Sequence, residues 1–207
     1  MGRRSDHTPG ELRELLVETG HALMAETGMA RFSGREVAKR AGYSVGTIYN
    51  VFGSLDGLIA AINTRTFVAW AEHLRAAMDA DPDDRIAALV RAYFSFALAN
   101  PLLWSAIYEH RVADGPGLSE ADMEQRAVLT GIVEAEVRAA LPADIESATG
   151  LDVARFARSL IAGVHGHCSY VVSGSFAMLD EPDPVGSALA RVRESLRANG
   201  AAIAPAA

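Results

Sequence analysis

From Pro9 to Asn199 the apolar residues recur at spacings of three and four, and no stretch alternates with a period of two for more than a few residues. That pattern restricts the chain to helices. A period near 3.6 gathers apolar side chains on one helix face, whereas a strand would scatter them over both of its faces. The helix boundaries are also written locally. Thr8-Pro9-Gly10-Glu11 is a capping box with proline in the first turn, and Gly28 follows the stripe Leu12, Leu15, Leu16, Leu23. Ser33 and Glu36 form a second capping box, and Gly42 stops that helix after barely two turns. Ser44 is placed to cap a third short helix through Asn50, and Ser54 caps a fourth that runs to about Ala80, with Asp56 in its first turn. Further helices are predicted near residues 82–99, 101–110, 119–141, 152–174 and 184–199. Gly115-Pro116-Gly117 marks a loop, and the Ala-rich residues 201–207 are expected to fray. The sequence therefore predicts an all-α protein of nine helices.

A length of 207 residues suits one large domain, or a small domain fused to a larger one. No run approaches the ~20 apolar residues of a membrane span. The N-terminal MGRRSDHTPG has no apolar core after its basic pair, so no secretory signal is read there and the cytoplasm is the expected location. Cys168 is the sole cysteine, which excludes an intrachain disulfide and a thiolate zinc site. The net charge of −7 seems to disfavour nucleic acid, but it is unevenly spread. Residues 1–66 carry eight Lys/Arg against seven Asp/Glu, and residues 67–207 carry eleven against nineteen. Between residues 29 and 55, Arg31, Arg35, Lys39 and Arg40 face only Glu36. Local charge decides phosphate contact, and the global sum mainly sets solubility.

Residues 32–58 hold the most informative constellation. Two helices of about two turns flank Ala41-Gly42-Tyr43-Ser44, and neither is long enough to be stable alone. Val37, Ala38, Ala41, Ile48 and Phe52 supply a small core that fixes the angle between them, while Gly42 permits the tight turn. Such a pair is either an ordinary packed couple or a helix-turn-helix whose second helix enters a major groove. In register, Ser33, Val37, Ala38, Ala41, Gly42, Ser44, Gly46, Thr47, Ile48, Tyr49 and Phe52 resemble the signature of the TetR/AcrR family of regulators. Tyr43, Val45, Val51 and Leu55 depart from the family's usual residues, and two positively charged phosphate contacts are missing. Arg31, Arg35, Lys39, Arg40 and the tail residues Arg3 and Arg4 are expected to compensate. The resemblance implies a homodimer on the double-stranded DNA of a palindromic operator, with a three-helix DNA-binding domain over residues 1–53. Residues 54–207 would form a helical bundle for ligand binding and dimerisation. Residues 160–176, with the pair His165-Gly166, are similar to a subgroup carrying a His-Gly pair in its eighth helix. The DNA face is expected at Ser33, Arg35, Ser44, Val45, Thr47, Tyr49 and Asn50.

A small hydrophobic or aromatic ligand is expected against Trp70, Phe94, Trp104, Tyr108 and His165 in the larger domain; simple core packing is the alternative for these aromatics. His165 and His167 lie two residues apart, about 200° around a helix, and cannot share one ion, so no metal and no cofactor are assigned. Cys168 is read as a core residue rather than a redox sensor. The helix near 152–174 is apolar on more than one side, and the last helix adds a stripe opposite Arg191, Arg193, Glu194 and Arg197. Together they suggest a dimer interface at Phe156, Leu160, Val164, Val171, Leu189, Val192 and Leu196; the alternative is a central buried helix of a monomeric bundle. The alternatives are a DNA-binding regulator without a small-molecule ligand, a helical enzyme or a helical adaptor. No nucleophile elbow, His-Glu-x-x-His or P-loop supports an enzyme.

Overall fold

The computed structural model describes residues 7–110 and 119–203. Arg3, Arg4, the glycine-proline loop at 115–117 and residues 204–207 of the Ala-rich tail lie outside the described residues. Among the described residues there are ten α-helices and two short 3-10 segments, and no strand. The helices are α1 (Pro9–Thr27), α2 (Gly34–Ala41), α3 (Val45–Phe52), α4 (Leu55–Ala80), α5 (Arg85–Ala99) and α6 (Pro101–Glu109). They continue with α7 (Glu120–Ala140), α8 (Ile145–Thr149), α9 (Val153–Val172) and α10 (Pro184–Ala198). The 3-10 segments are Met29–Arg31 and Ser175–Met178. Nine of the ten helices coincide with the predicted nine. The addition is α8, which at five residues is too short to show a helical period.

The predicted caps at Thr8, Ser33 and Ser54 form, the one at Ser33 without the return bond of a capping box, while Ser44 makes no side-chain cap. Thr8 Oγ1 accepts from the Glu11 amide while the Glu11 carboxylate accepts from the Thr8 amide, so two orphan donors of α1 are satisfied at once. Ser33 and Ser54 accept from the amides of Glu36 and Gly57. Gly42 ends α2 in the left-handed region at φ 80°, where a residue with a Cβ would be strained.

The chain divides into two compact units. One comprises the described residues of Met1–Ala69 and Asn100–Arg126. Its core joins Leu16, Leu23 and Met24 of α1, Val37 and Ala38 of α2, and Ile48 of α3 to Leu58, Ile59 and Ile62 of α4 and to Leu103 and Ala106 of α6. At Gly57 the backbone of α4 comes so close to the end of α3 that an added Cβ would sit 2.3 Å from the Phe52 carbonyl oxygen. Here glycine is needed for approach and not for its dihedral freedom.

The other unit comprises the described residues of Trp70–Ala99 and Ala127–Ala207. Its centre is α5, where ten of fifteen residues are buried, packed against α9 and α10. Arg85 on α5 forks onto the Glu136 carboxylate of α7 at 2.7 and 2.9 Å, and Arg193 of α10 pairs with Asp84. Among the described residues no single helix is long and apolar enough to cross a membrane.

Candidate functional site

The first unit displays a two-helix corner with one buried and one open side. Val37, Ala38 and Ile48 are buried, and Ala41 and Phe52 pack partly against them, so the angle between α2 and α3 is set by contact. The side chains between those positions point outward. Ser33, Arg35, Ser44, Val45, Tyr49 and Asn50 are exposed and Thr47 is half-buried. Val45 and Tyr49 keep 41% and 53% of their surface exposed on the outer face of α3. Ser33, Arg35, Val45 and Tyr49 line one open groove between the start of α2 and the face of α3. Ser44 Oγ stands 3.4 Å from Thr47 Oγ1 at the head of α3 but accepts no capping hydrogen bond from the helix.

The basic residues divide into two classes. Arg35 makes no ion pair or hydrogen bond among the described residues. Arg40, expected from its sequence position to meet phosphate, is instead held within the unit. Its Nη1 donates to both Glu26 carboxylate oxygens at 2.8 Å and its Nε to Glu36 at 3.2 Å. Glu26, then Glu36, raise the Arg40 pKa above its ordinary value. Glu26 lies on α1, far from Arg40 in sequence, so no local pattern reveals this pair. Tyr43, where the sequence departs from the family's turn residue, places its hydroxyl 2.7 Å from His7 Nδ1 and so ties the turn to the chain ahead of α1.

The residues expected around a ligand fall into both units. Trp104 and Tyr108 belong to the first, with ring centroids 5.2 Å apart. Trp70, Phe94 and His165 belong to the second. There Trp70 packs edge-on to Tyr93 at 4.6 Å and stacks on Phe96 at 5.3 Å, and Trp70 and Phe94 are fully buried. Tyr93 Oη lies 3.1 Å from His165 Nδ1, and Ser169 Oγ lies 3.3 Å from His165 Nε2. Burial pushes the His165 pKa down, which favours the neutral ring.

Beside this chain the second unit has a small, partly open apolar pocket of about 30 Å³. Its walls are Ile86, Leu89, Val90 and Tyr93 of α5, Val133 and Val137 of α7, Leu160, Ile161 and Val164 of α9, and Val192 of α10. None of the five expected ligand residues lines it; Tyr93 connects it to His165. The pocket wall is nearly all aliphatic, with Tyr93 its one aromatic residue. His167 turns elsewhere, with Nδ1 3.0 Å from the Gly163 carbonyl oxygen and its ring 5.9 Å from Phe176. Cys168 is fully buried, and burial pushes its thiol up to about 12. Among the described residues no group of three or more His, Cys, Asp or Glu side chains is placed to hold a metal.

The seven expected interface residues also divide. Val164, Leu189, Val192 and Leu196 are buried within the second unit, Leu196 completely. Phe156, Leu160 and Val171 are half-buried. An open groove between α9 and α10 is lined by Phe156, Leu160, Gly163, His167, Arg191 and Ser195 among others. Tyr170, Met178 and Leu179 are also exposed large apolar side chains of this unit.

Residues 16–62 match the family described as bacterial regulatory proteins, tetR family, and residues 86–192 match the tetracyclin repressor-like C-terminal domain. Among solved structures, the chain is similar to a protein of unknown function from Rhodococcus sp. RHA1, with 23% identity, a TM-score of 0.69 and coverage of 96% of this chain and 99% of that one. It is similar to RolR in complex with resorcinol at 17% identity and a TM-score of 0.65, covering 94% of this chain and 90% of that one. It is also similar to the multidrug binding protein EbrR complexed with imidazole at 21% identity and a TM-score of 0.59, covering 89% and 94% of the two chains. No curated protein matches the chain.

Proposed function

Because the chain belongs to the TetR family of bacterial regulatory proteins, we propose that it is a ligand-responsive repressor that binds a palindromic operator as a homodimer and releases it on binding a small hydrophobic or aromatic molecule. The observation that carries the DNA part is the open groove of Ser33, Arg35, Val45 and Tyr49 beside a buried α2–α3 contact. A helix whose inner face is locked and whose outer face carries Val, Thr, Tyr and Asn suits a major groove. Val45 and Thr47 fit thymine methyl groups, Arg35 fits a guanine edge or a phosphate, and Ser44, Tyr49 and Asn50 fit phosphates. Residues 1–53 would be the DNA-binding domain and residues 54–207 the regulatory one, working in the cytoplasm without a catalytic role. His165-Gly166 supports kinship with the subgroup that carries this pair.

The dimer would form through α9 and α10 of each copy, packed as four helices across a two-fold axis. Phe156, Leu160, Val171 and Tyr170 offer the contact surface, while Leu189, Val192 and Leu196 brace it from inside. The structures of RolR with resorcinol and EbrR with imidazole support a small-molecule role for the same fold. Since α4 runs from the first unit into the second, a ligand preferring one tilt of this helix would shift the spacing of the paired α3 helices away from the ~34–36 Å of successive major grooves.

The test is the double substitution Arg35→Ala with Tyr49→Ala, assayed on a duplex selected by the wild-type protein. Specific binding is expected to vanish while the circular dichroism spectrum and Tm stay unchanged, because both side chains are exposed. Unchanged affinity would overturn the site.

A further inference from the structure

The cations of the first unit differ in what already holds them. Lys39 and Arg40 face Glu36, Arg40 also holds Glu26, and Arg65 pairs with Glu14. Arg31 donates to the Thr27 carbonyl oxygen, and Arg126 donates to Thr64 Oγ1 and the Ala60 carbonyl oxygen. Among the described residues, Arg35 and Arg13 of this unit make no ion pair or hydrogen bond. The carboxylates beside Arg13 on α1 are taken: Glu11 accepts from the Thr8 amide, and Glu14 is held by Arg65. Arg35 already lines the DNA groove. Arg13 has no part in that site so far.

Arg13 is exposed, yet its position is set. Its Cζ lies 5.5 Å from the centroid of the Phe52 ring. A guanidinium held over a ring keeps its N–H donors for a partner, and their fork matches the oxygens of a phosphate. Phe52 follows Val45 by seven residues and Tyr49 by three, so the three share one side of α3. Val45 and Tyr49 are exposed, and Phe52 is half-buried at the C-terminal end of the same stripe. Arg13 therefore stands at the tail of the stripe that faces DNA. The chain ahead of α1 reaches the head of α3 as well, where His7 Nδ1 lies 2.7 Å from Tyr43 Oη. The start of α1 thus borders α3 at both ends. A helix ~10–12 Å across fills a major groove ~12 Å wide, so the phosphates run along its borders. Leu55 lines the groove at the start of α4 and brings no charge; Arg13 supplies one from a different helix.

We propose that Arg13 is a further residue of the DNA site, contacting a backbone phosphate from its seat on the Phe52 ring. The proposal rests on the reading of α2 and α3 as the DNA-binding corner. The test titrates full-length wild type, Arg13→Gln and Arg13→Lys onto a duplex selected by the wild-type protein and onto a scrambled duplex, over about 50 to 300 mM salt. In Arg13→Gln the slope of log affinity against log salt is expected to fall by about one per bound chain, with a loss of roughly fivefold or more on both duplexes. Its Tm is expected to stay unchanged, because the side chain is exposed. Arg13→Lys should keep the wild-type slope and recover only part of the affinity, since an ammonium cannot fork onto a phosphate. A wild-type slope in Arg13→Gln would overturn the proposal, and so would a fallen Tm with no change of slope. A loss confined to the selected duplex would mark a base contact and overturn it too. In all three cases the DNA-binding corner stands if Arg35→Ala with Tyr49→Ala still abolishes specific binding. A wild-type chain that selects no duplex would overturn both readings.

Discussion

Replacing Gly57 by alanine tests how the DNA-reading corner is held. In a helix the change should stabilise, by about 1 kcal/mol from propensity alone. The structure predicts the opposite sign. A Cβ at this position lies 2.3 Å from the Phe52 carbonyl oxygen, whereas carbon–oxygen contacts normally begin at roughly 3.3 Å. About 1 Å of overlap must be relieved, and both partners are backbone, so no side chain can swing away. Overpacking of this kind costs about 1–3 kcal/mol, which leaves a net loss of up to ~2 kcal/mol. At about 2–4 °C per kcal/mol for a chain of this size, Tm should fall by several degrees. The movement that relieves the clash separates the end of α3 from α4, so affinity for a wild-type-selected duplex should fall at least tenfold as well. Differential scanning calorimetry and fluorescence anisotropy read the two effects. A Gly57→Ala protein with a raised Tm and unchanged DNA affinity would refute the close approach and the rigid corner built on it.

Cys168, with its thiol pushed up to about 12 by burial, should resist thiol reagents in the native protein and react only on unfolding; rapid labelling of folded protein would contradict this. His165 is pushed down by burial, and His21 by burial first and then by Arg65. The unfolded chain therefore binds protons that the folded one refuses. The stability contributed by these two neutral rings is full above the ordinary imidazole value of about 6.5 and is lost as pH falls through it toward the lower folded values. Thermal melts at pH 7.5 and 5.5 should show that loss, and it should shrink in His21→Gln with His165→Gln. Phe156→Glu with Tyr170→Glu should give a folded monomer by sedimentation, since neither side chain is fully buried within its unit; a persistent dimer would remove α9 from the interface.

What the sequence revealed and what it hid follow from how local the causes are. The caps at Thr8, Ser33 and Ser54 and the stop at Gly42 act within four residues, so helix boundaries could be read directly. The inward set Val37, Ala38 and Ile48 follows from spacing along α2 and α3, and the outward set follows with it. The Arg40 pair could not be read from the sequence because its carboxylate partner Glu26 belongs to another helix. The aliphatic cavity escaped notice for a similar reason, because four helices must be placed before Val90, Val137, Val164 and Val192 meet. Leu189, Val192 and Leu196 form a stripe that suits a partner helix, but sequence cannot say whether that partner is α5 of the same chain or a second copy. In the structure all three are buried within their own unit, where α10 packs against α9 and α5.

The central claim is that a pair of these chains reads DNA through α3. Selection from a randomised duplex pool by the purified full-length protein tests it most directly. The account predicts enrichment of an inverted repeat whose half-site centres lie about one helical turn, ~10 base pairs, or a multiple of it apart, and loss of that enrichment with Arg35→Ala and Tyr49→Ala together. No enrichment, or a single unrepeated site retained by the double variant, would contradict it.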